Sequence, residues 1–180
     1  MSELAAHLVD RVLPHVPIRQ WVFTVPVPVR YQLAFDATLT RAVLRVFLRT
    51  VFSWLRRRAT RRGLVGARCG AVTAIQRFGG AANLNVHFHS LILEGVYTRP
   101  TPRARPVFHR LPPPTDPDIA ALLTRLHRRV RRLLARRGRL PEGLHGSDSS
   151  ATQEPLFASA VATSLQGVSS AASSPITSED

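Results

Sequence analysis

The sequence predicts an α+β fold, an antiparallel sheet with helices flanking it. Three patterns carry this expectation. Apolar residues recur at helical spacing over Leu44, Phe47, Leu48, Val51, Phe52 and Leu55, and again over Ile119, Leu122, Leu123, Leu126, Val130, Leu133 and Leu134. Between these stripes, Leu84 to Tyr97 alternates as a half-buried strand does. An apolar share of 44% in 180 residues is enough to build one core.

The elements follow in order. Ser2 and Glu3 open a helix expected over Leu4 to Leu13, which Pro14 closes. Gln20 to Val25, QWVFTV, is rich in aromatic and β-branched residues and reads as a strand. Pro26 and Pro28 then fit a sheet edge or an exit from the sheet. Asp36 is a good N-cap for a long helix to about Arg62, with Gly63 as the stop. Arg41, Arg45, Arg49 and Arg56 fall off that helix's apolar stripe. Ala71 to Phe78 is a second strand, Gly79 to Asn83 a turn, and Leu84 to Tyr97 a long third strand. Arg99 to Pro114 reads as a Pro- and Arg-rich connection. Asp116 caps a last helix, with Pro117 in its first turn and Gly138 at its end. After the leading helix the order is β-α-β-β-α, most of a ferredoxin-like split βαβ arrangement and incomplete for want of its last strand. Residues 1–145 therefore read as one core domain. Residues 146–180 read as a low-complexity or truncated tail, because from Ser147 there are four acids, no base and many small polar residues. A short apolar patch within it, Pro155 to Leu165, could form a turn or two of helix.

Charge narrows the partners. The formal net charge is +14, and all 25 bases are arginine. From Arg41 to Arg68 there are nine arginines and no acid, and from Arg99 to Arg139 twelve arginines against Asp116 and Asp118. Such an excess points to a polyanion, of which nucleic acid is the commonest. Arg56, Arg57, Arg58, Arg61 and Arg62 form one candidate phosphate-binding cluster, and Arg128, Arg129, Arg131 and Arg132 a second. The single cysteine, Cys69, excludes an intrachain disulfide framework and a Cys-rich zinc site. No apolar run is long enough to span a bilayer and no signal-peptide pattern opens the chain, so a cytoplasmic protein with no membrane partner is expected. P-loop, dinucleotide-binding and nucleophile-elbow motifs are absent, and the acids are too few for a carboxylate cluster.

The stretch with most chemistry is Asn83 to Tyr97, NLNVHFHSLILEGVY. On a strand Leu84, Val86 and Phe88 point one way, and Asn85, His87 and His89 the other. Two imidazoles side by side on one strand face make a clip for a divalent metal. Folding the hairpin about Gly79 to Asn83 puts Gln76 opposite His87, with Cβ atoms roughly 5 Å apart. Two imidazole nitrogens and an amide oxygen leave positions open for phosphate and water, which suits Mg²⁺ or Mn²⁺ better than structural zinc.

The segment VTAIQRFGGAANLNVHFHSLILEGVY, Val72 to Tyr97, resembles the core of the insertion sequence 91 family of rolling-circle transposases, which are HUH endonucleases. RQWVFTVP (Arg19 to Pro26), RYQLAFD (Arg30 to Asp36) and ELAAHLVDRVLP near the start resemble preceding segments, and EPLFASAVATSLQG from Glu154 a later one. The resemblance implies a bacterial, nucleoid-associated protein that acts in DNA transposition. It assigns His87 and His89 as the metal-binding pair, with a polar third ligand, here Gln76. It also implies a tyrosine that attacks a scissile phosphate of single-stranded DNA. The family's two nucleophilic tyrosines stand four residues apart, whereas this chain has Tyr31 and Tyr97 only. The expectation is an internal transposase fragment, without the family's zinc-binding N-terminal region or its tyrosine pair, and with little strand-transfer activity. Two other readings remain: a non-catalytic basic nucleic-acid-binding module of ferredoxin-like fold, and a remnant that does not fold.

Overall fold

The computed structural model describes residue 3 and residues 7–78 and 84–141. The turn expected at Gly79 to Asn83 and the tail with its apolar patch lie outside these residues, as does most of the first turn of the leading helix.

Chain order is a π-helical turn at Leu8–Val12, β1 (Ile18–Thr24), α1 (Val27–Phe35), α2 (Ala37–Thr60), β2 (Ala71–Phe78), β3 (Leu84–Leu93), β4 (Gly95–Thr98), β5 (Val107–Arg110) and α3 (Asp116–Arg136). The first sheet has the order β1-β3-β2, with β3 antiparallel to both neighbours. Two parallel strands joined through helices, with an antiparallel strand inserted between them, make the split βαβ expected from the sequence. The α+β class is the one expected.

Alternation sorts β1 and β3 between two faces. Trp21 and Phe23 from β1, with Val86, Phe88 and Ile92 from β3, are buried against the helices. The Phe23 ring stacks on Phe47 of α2 at 5.1 Å and on Phe88 at 5.9 Å, and Trp21 meets Trp54 edge-on at 6.2 Å. Leu122, Leu126, Val130 and Leu134 join this core from α3. On α2 the buried line runs through Val43, Phe47, Thr50, Val51 and Trp54, while Leu44, Leu48 and Phe52 are only partly buried. Arg41, Arg45, Arg49 and Arg56 are exposed.

Caps explain the helix bounds. The Asp36 side chain accepts from Leu39 N at 2.8 Å, and Gly63 takes φ 75° after the last turn. The cap of α3 is Thr115, one residue before the Asp116 that the sequence predicts. Thr115 and Asp118 form a reciprocal capping box, with Pro117 inside the first turn.

Two expectations need correction, those for the third strand and for the connection after Arg99. Over its described end, His7 to Val12, the leading segment is helical as expected, its last turn is π-helical with Leu13 N donating to Leu8 O at 2.8 Å, and Leu13 before Pro14 is already extended. Of the two readings for Pro26 and Pro28, the exit from the sheet is the one found: β1 ends at Thr24, Pro26 is the N-cap of α1 and Pro28 sits in its first turn. Proline fits there because its missing N–H has no intrahelical partner to lose.

The long third strand breaks at Glu94, whose carboxylate binds Arg19 of β1 and Arg110 of β5. The connection after Arg99 contains β5, which pairs with β4 from Gly95↔Arg110 to Thr98↔Val107. Gly95 permits this pairing: a Cβ there would collide with the His109 carbonyl and the Phe108 ring. Gly95→Ala is expected to lower unfolding stability by about 1–3 kcal/mol through overpacking, measured by urea denaturation; an unchanged midpoint would show that the ribbon adjusts freely.

Candidate metal and nucleic-acid site

β3 is the central strand, so its backbone is hydrogen-bonded on both edges and its side chains are held in register. His87 pairs with Thr24 of β1 and Gln76 of β2, and His89 with Val22 and Ala74. The hairpin register expected from the sequence, Gln76 opposite His87, is therefore the register found. Both imidazoles stand on the face away from Phe88, with ring centroids 4.7 Å apart and ring planes at 63°. His87 is buried at 8% exposure, and His89 is half-buried.

The ring nitrogens are not equivalent. His87 Nδ1 lies 2.6 Å from the Asn85 carbonyl oxygen. A carbonyl can only accept, so Nδ1 carries the proton and the neutral ring keeps its lone pair on Nε2. His89 Nδ1 meets the Gln20 amide nitrogen at 2.9 Å, and its Nε2 is buried with no hydrogen-bond partner among the described residues. Thr24 Oγ1 and Asn85 Oδ1 are buried in the same condition. Gln76 is exposed, and its amide nitrogen, not its oxygen, is used on Phe78 O at 3.0 Å. No group of three or more His, Cys, Asp or Glu side chains that could hold a metal assembles among the described residues. A metal here would rest on two imidazoles completed by amide and hydroxyl oxygens, a donor set that the orphaned His89 Nε2 and the tautomer of His87 both fit.

Gln20 is a neighbour that the sequence did not reveal. Its place on the histidine face was visible in the alternation of QWVFT; what was missing was the pairing of β1 with β3, which makes Gln20 a diagonal neighbour of His89.

The tyrosines lie apart in the fold. Tyr97 is on β4, beyond the break at Glu94, packed on Phe108 at 5.2 Å and bridged to Arg68. Tyr31 is on α1 and 57% exposed. Burial pushes the Cys69 thiol up to about 11, so it stays protonated at neutral pH.

The two arginine clusters meet where α3 packs on α2. Burial, and then the like charges of Arg125, Arg129, Arg61 and Arg56, hold Arg57 below the usual arginine value. Arg125 was not singled out in the sequence, and it belongs to this group. Arg129 is tethered, its Nη1 donating to Thr50 Oγ1 at 3.0 Å, and Arg131 is half-buried. Arg62, Arg128 and Arg132 are exposed. Arg58 differs from the rest: it pairs with Asp118 at 3.4 Å and lies 4.6 Å over the Trp54 ring. No helix among the described residues is long and apolar enough to cross a membrane.

Two outcomes are expected. Arg58→Ala lowers stability by about 1 kcal/mol by removing the stacking and the ion pair, while Arg56→Ala leaves the melting curve unchanged; equal melting of both variants would count against a packing role for Arg58. Burial first, and then the neighbouring His87, lowers the pKa of His89 below 6.5. Below pH 6.5 the unfolded chain then binds more protons at this residue than the folded chain does, so stability falls as pH drops through that window. Urea melts at pH 7.5 and 5.0 should show a larger loss in wild type than in His89→Ala; an equal loss removes His89 as a source.

Comparison with known proteins bears on this same stretch. Residues 70–154 match the family model described as "Putative transposase". The match takes in β2, β3, the β4–β5 ribbon and α3, and with them Gln76, His87 and His89. No curated protein and no solved structure matches the chain. The part of the chain that carries the histidine pair is thus similar to a transposase family, and the match supports a transposase role for this protein.

Proposed function

We propose that this chain is the DNA-processing core of an HUH rolling-circle transposase similar to the insertion sequence 91 family, with His87, His89 and Gln76 holding Mg²⁺ or Mn²⁺ against single-stranded DNA. The observation that carries the reading is the histidine pair itself: two imidazoles 4.7 Å apart on one strand face, inside the span that matches the transposase family.

The residues divide the work. The Asn85 carbonyl holds His87 in the tautomer that leaves Nε2 able to ligate. A half-turn of the Gln20 amide lets its oxygen accept from His89 Nδ1–H, which frees His89 Nε2 in the same way. Gln76, across the ladder from His87, supplies the third donor from an exposed position that a DNA strand can approach. When bound, a divalent ion supplies Lewis-acid polarisation of a phosphodiester oxygen. Phe78, 56% exposed and two residues beyond Gln76, offers a ring on which an unstacked base can lie.

Calorimetric titration with Mn²⁺ tests the reading. Wild type should bind at one site, Gln76→Ala should bind roughly tenfold more weakly, and the His87→Ala, His89→Ala double variant should not bind. Equal heats from wild type and the double variant would overturn it.

A further inference from the structure

We propose that the outer surface of α2 and α3 is a separate nucleic-acid surface, which grips the phosphate backbone of duplex DNA on the far side of the sheet from the histidine pair. The proposal rests on the reading above only in taking DNA as the partner.

The separation follows from alternation. α2 packs on the sheet face that carries Trp21, Phe23 and Phe88, and His87 and His89 leave the opposite face. The side of α2 turned away from the sheet is therefore separated from the histidines by the sheet and the helix itself. Arg41, Arg45 and Arg49 occupy that side, all exposed, four residues apart and so about 6 Å apart along the axis. On α3, Arg128 and Arg132 repeat the spacing, again exposed.

The surface is built for anions. α2 contains no acidic residue. The acids of α3, Asp116 and Asp118, lie in its first turn, where Asp118 already serves Thr115, Trp54 and Arg58. Along the seam, Arg57 feels Arg61, Arg125 and Arg129 as like charges, with no acid among the influences on it. Holding these cations together opposes folding, and a polyanion relieves that repulsion.

The absence of aromatics selects the duplex. The exposed aromatics among the described residues are Tyr31 and Phe35 on α1 and Phe78 on β2; neither α2 nor α3 exposes one. Single-strand binding relies on stacking, which this surface does not offer. Its regular row of guanidinium groups on rigid helices suits phosphates and reads no bases.

The test is fluorescence anisotropy of the full chain with a labelled 20-base-pair duplex and a labelled 20-nucleotide single strand, across a salt series. The Arg41→Gln, Arg45→Gln, Arg49→Gln variant should bind duplex at least about tenfold more weakly, with a salt slope shallower by roughly 0.9 for each phosphate no longer neutralised. Lysine at the same three positions should restore duplex binding, which separates missing charge from a disturbed fold. The His87→Ala, His89→Ala variant should keep wild-type duplex affinity. A wild-type slope in the glutamine variant, failure of the lysine variant, or loss of duplex binding in the histidine variant would each overturn the proposal, as would a single strand that suffers the same loss as duplex in the glutamine variant. Absent Mn²⁺ binding alongside intact duplex binding would defeat only the metal reading.

Discussion

β3 is the constraint from which the rest of the structure follows. It is hydrogen-bonded along both edges, so its side chains cannot drift between faces. Its period of two then divides the protein: Val86, Phe88 and Ile92 anchor the helix layer, and His87 and His89 are left on the other side. A slip of one residue would send the histidines into the core and the phenylalanine out of it. The rigidity of the site and the burial of the core are thus one property of one strand.

The helix layer faces a different problem, which is its own charge. α2 and α3 carry most of the chain's positive excess, yet they pack side by side. Apolar burial by Phe47, Val51, Leu122 and Leu126 supplies most of the attraction. Polar anchors fix the alignment: Arg129 on Thr50 toward one end, and Asp118 with Trp54 and Arg58 toward the other. The Thr115 N–H, the first cause, and the Trp54 and Arg58 contacts hold Asp118 below the usual carboxylate value, so it remains the anion that both helices use. Arginine suits these half-buried roles because its charge persists on desolvation and its planar fork can stack and pair at once.

Much of this was legible in the sequence wherever the signal was local. The α2 and α3 stripes, the Asp36 cap, the Gly63 and Gly138 stops and the bounds of β2 follow from periodicity and backbone chemistry, which need no neighbour to act. The pairing of Gln76 with His87 was legible too, because a short hairpin converts sequence distance directly into register. α1 was not, since Pro26 caps it without the usual hydrogen-bonding side chain and VPVRYQLAF carries no strong stripe. The break at Glu94 was hidden because alternation runs on through LEGVY.

The sequence by itself determined the strand that carries the histidines, the face they share and the basic helices. Only the tertiary structure decided that β3 lies between β1 and β2, that Glu94 binds Arg19 and Arg110 where the chain passes from β3 into a second ribbon, and that Gln20 meets His89. The physical reason is reach. Local patterns set which way a side chain points, but a hydrogen bond between residues 69 positions apart forms only after strand order is chosen, and that choice is made by burying Trp21, Phe23 and Phe88 against one helix layer.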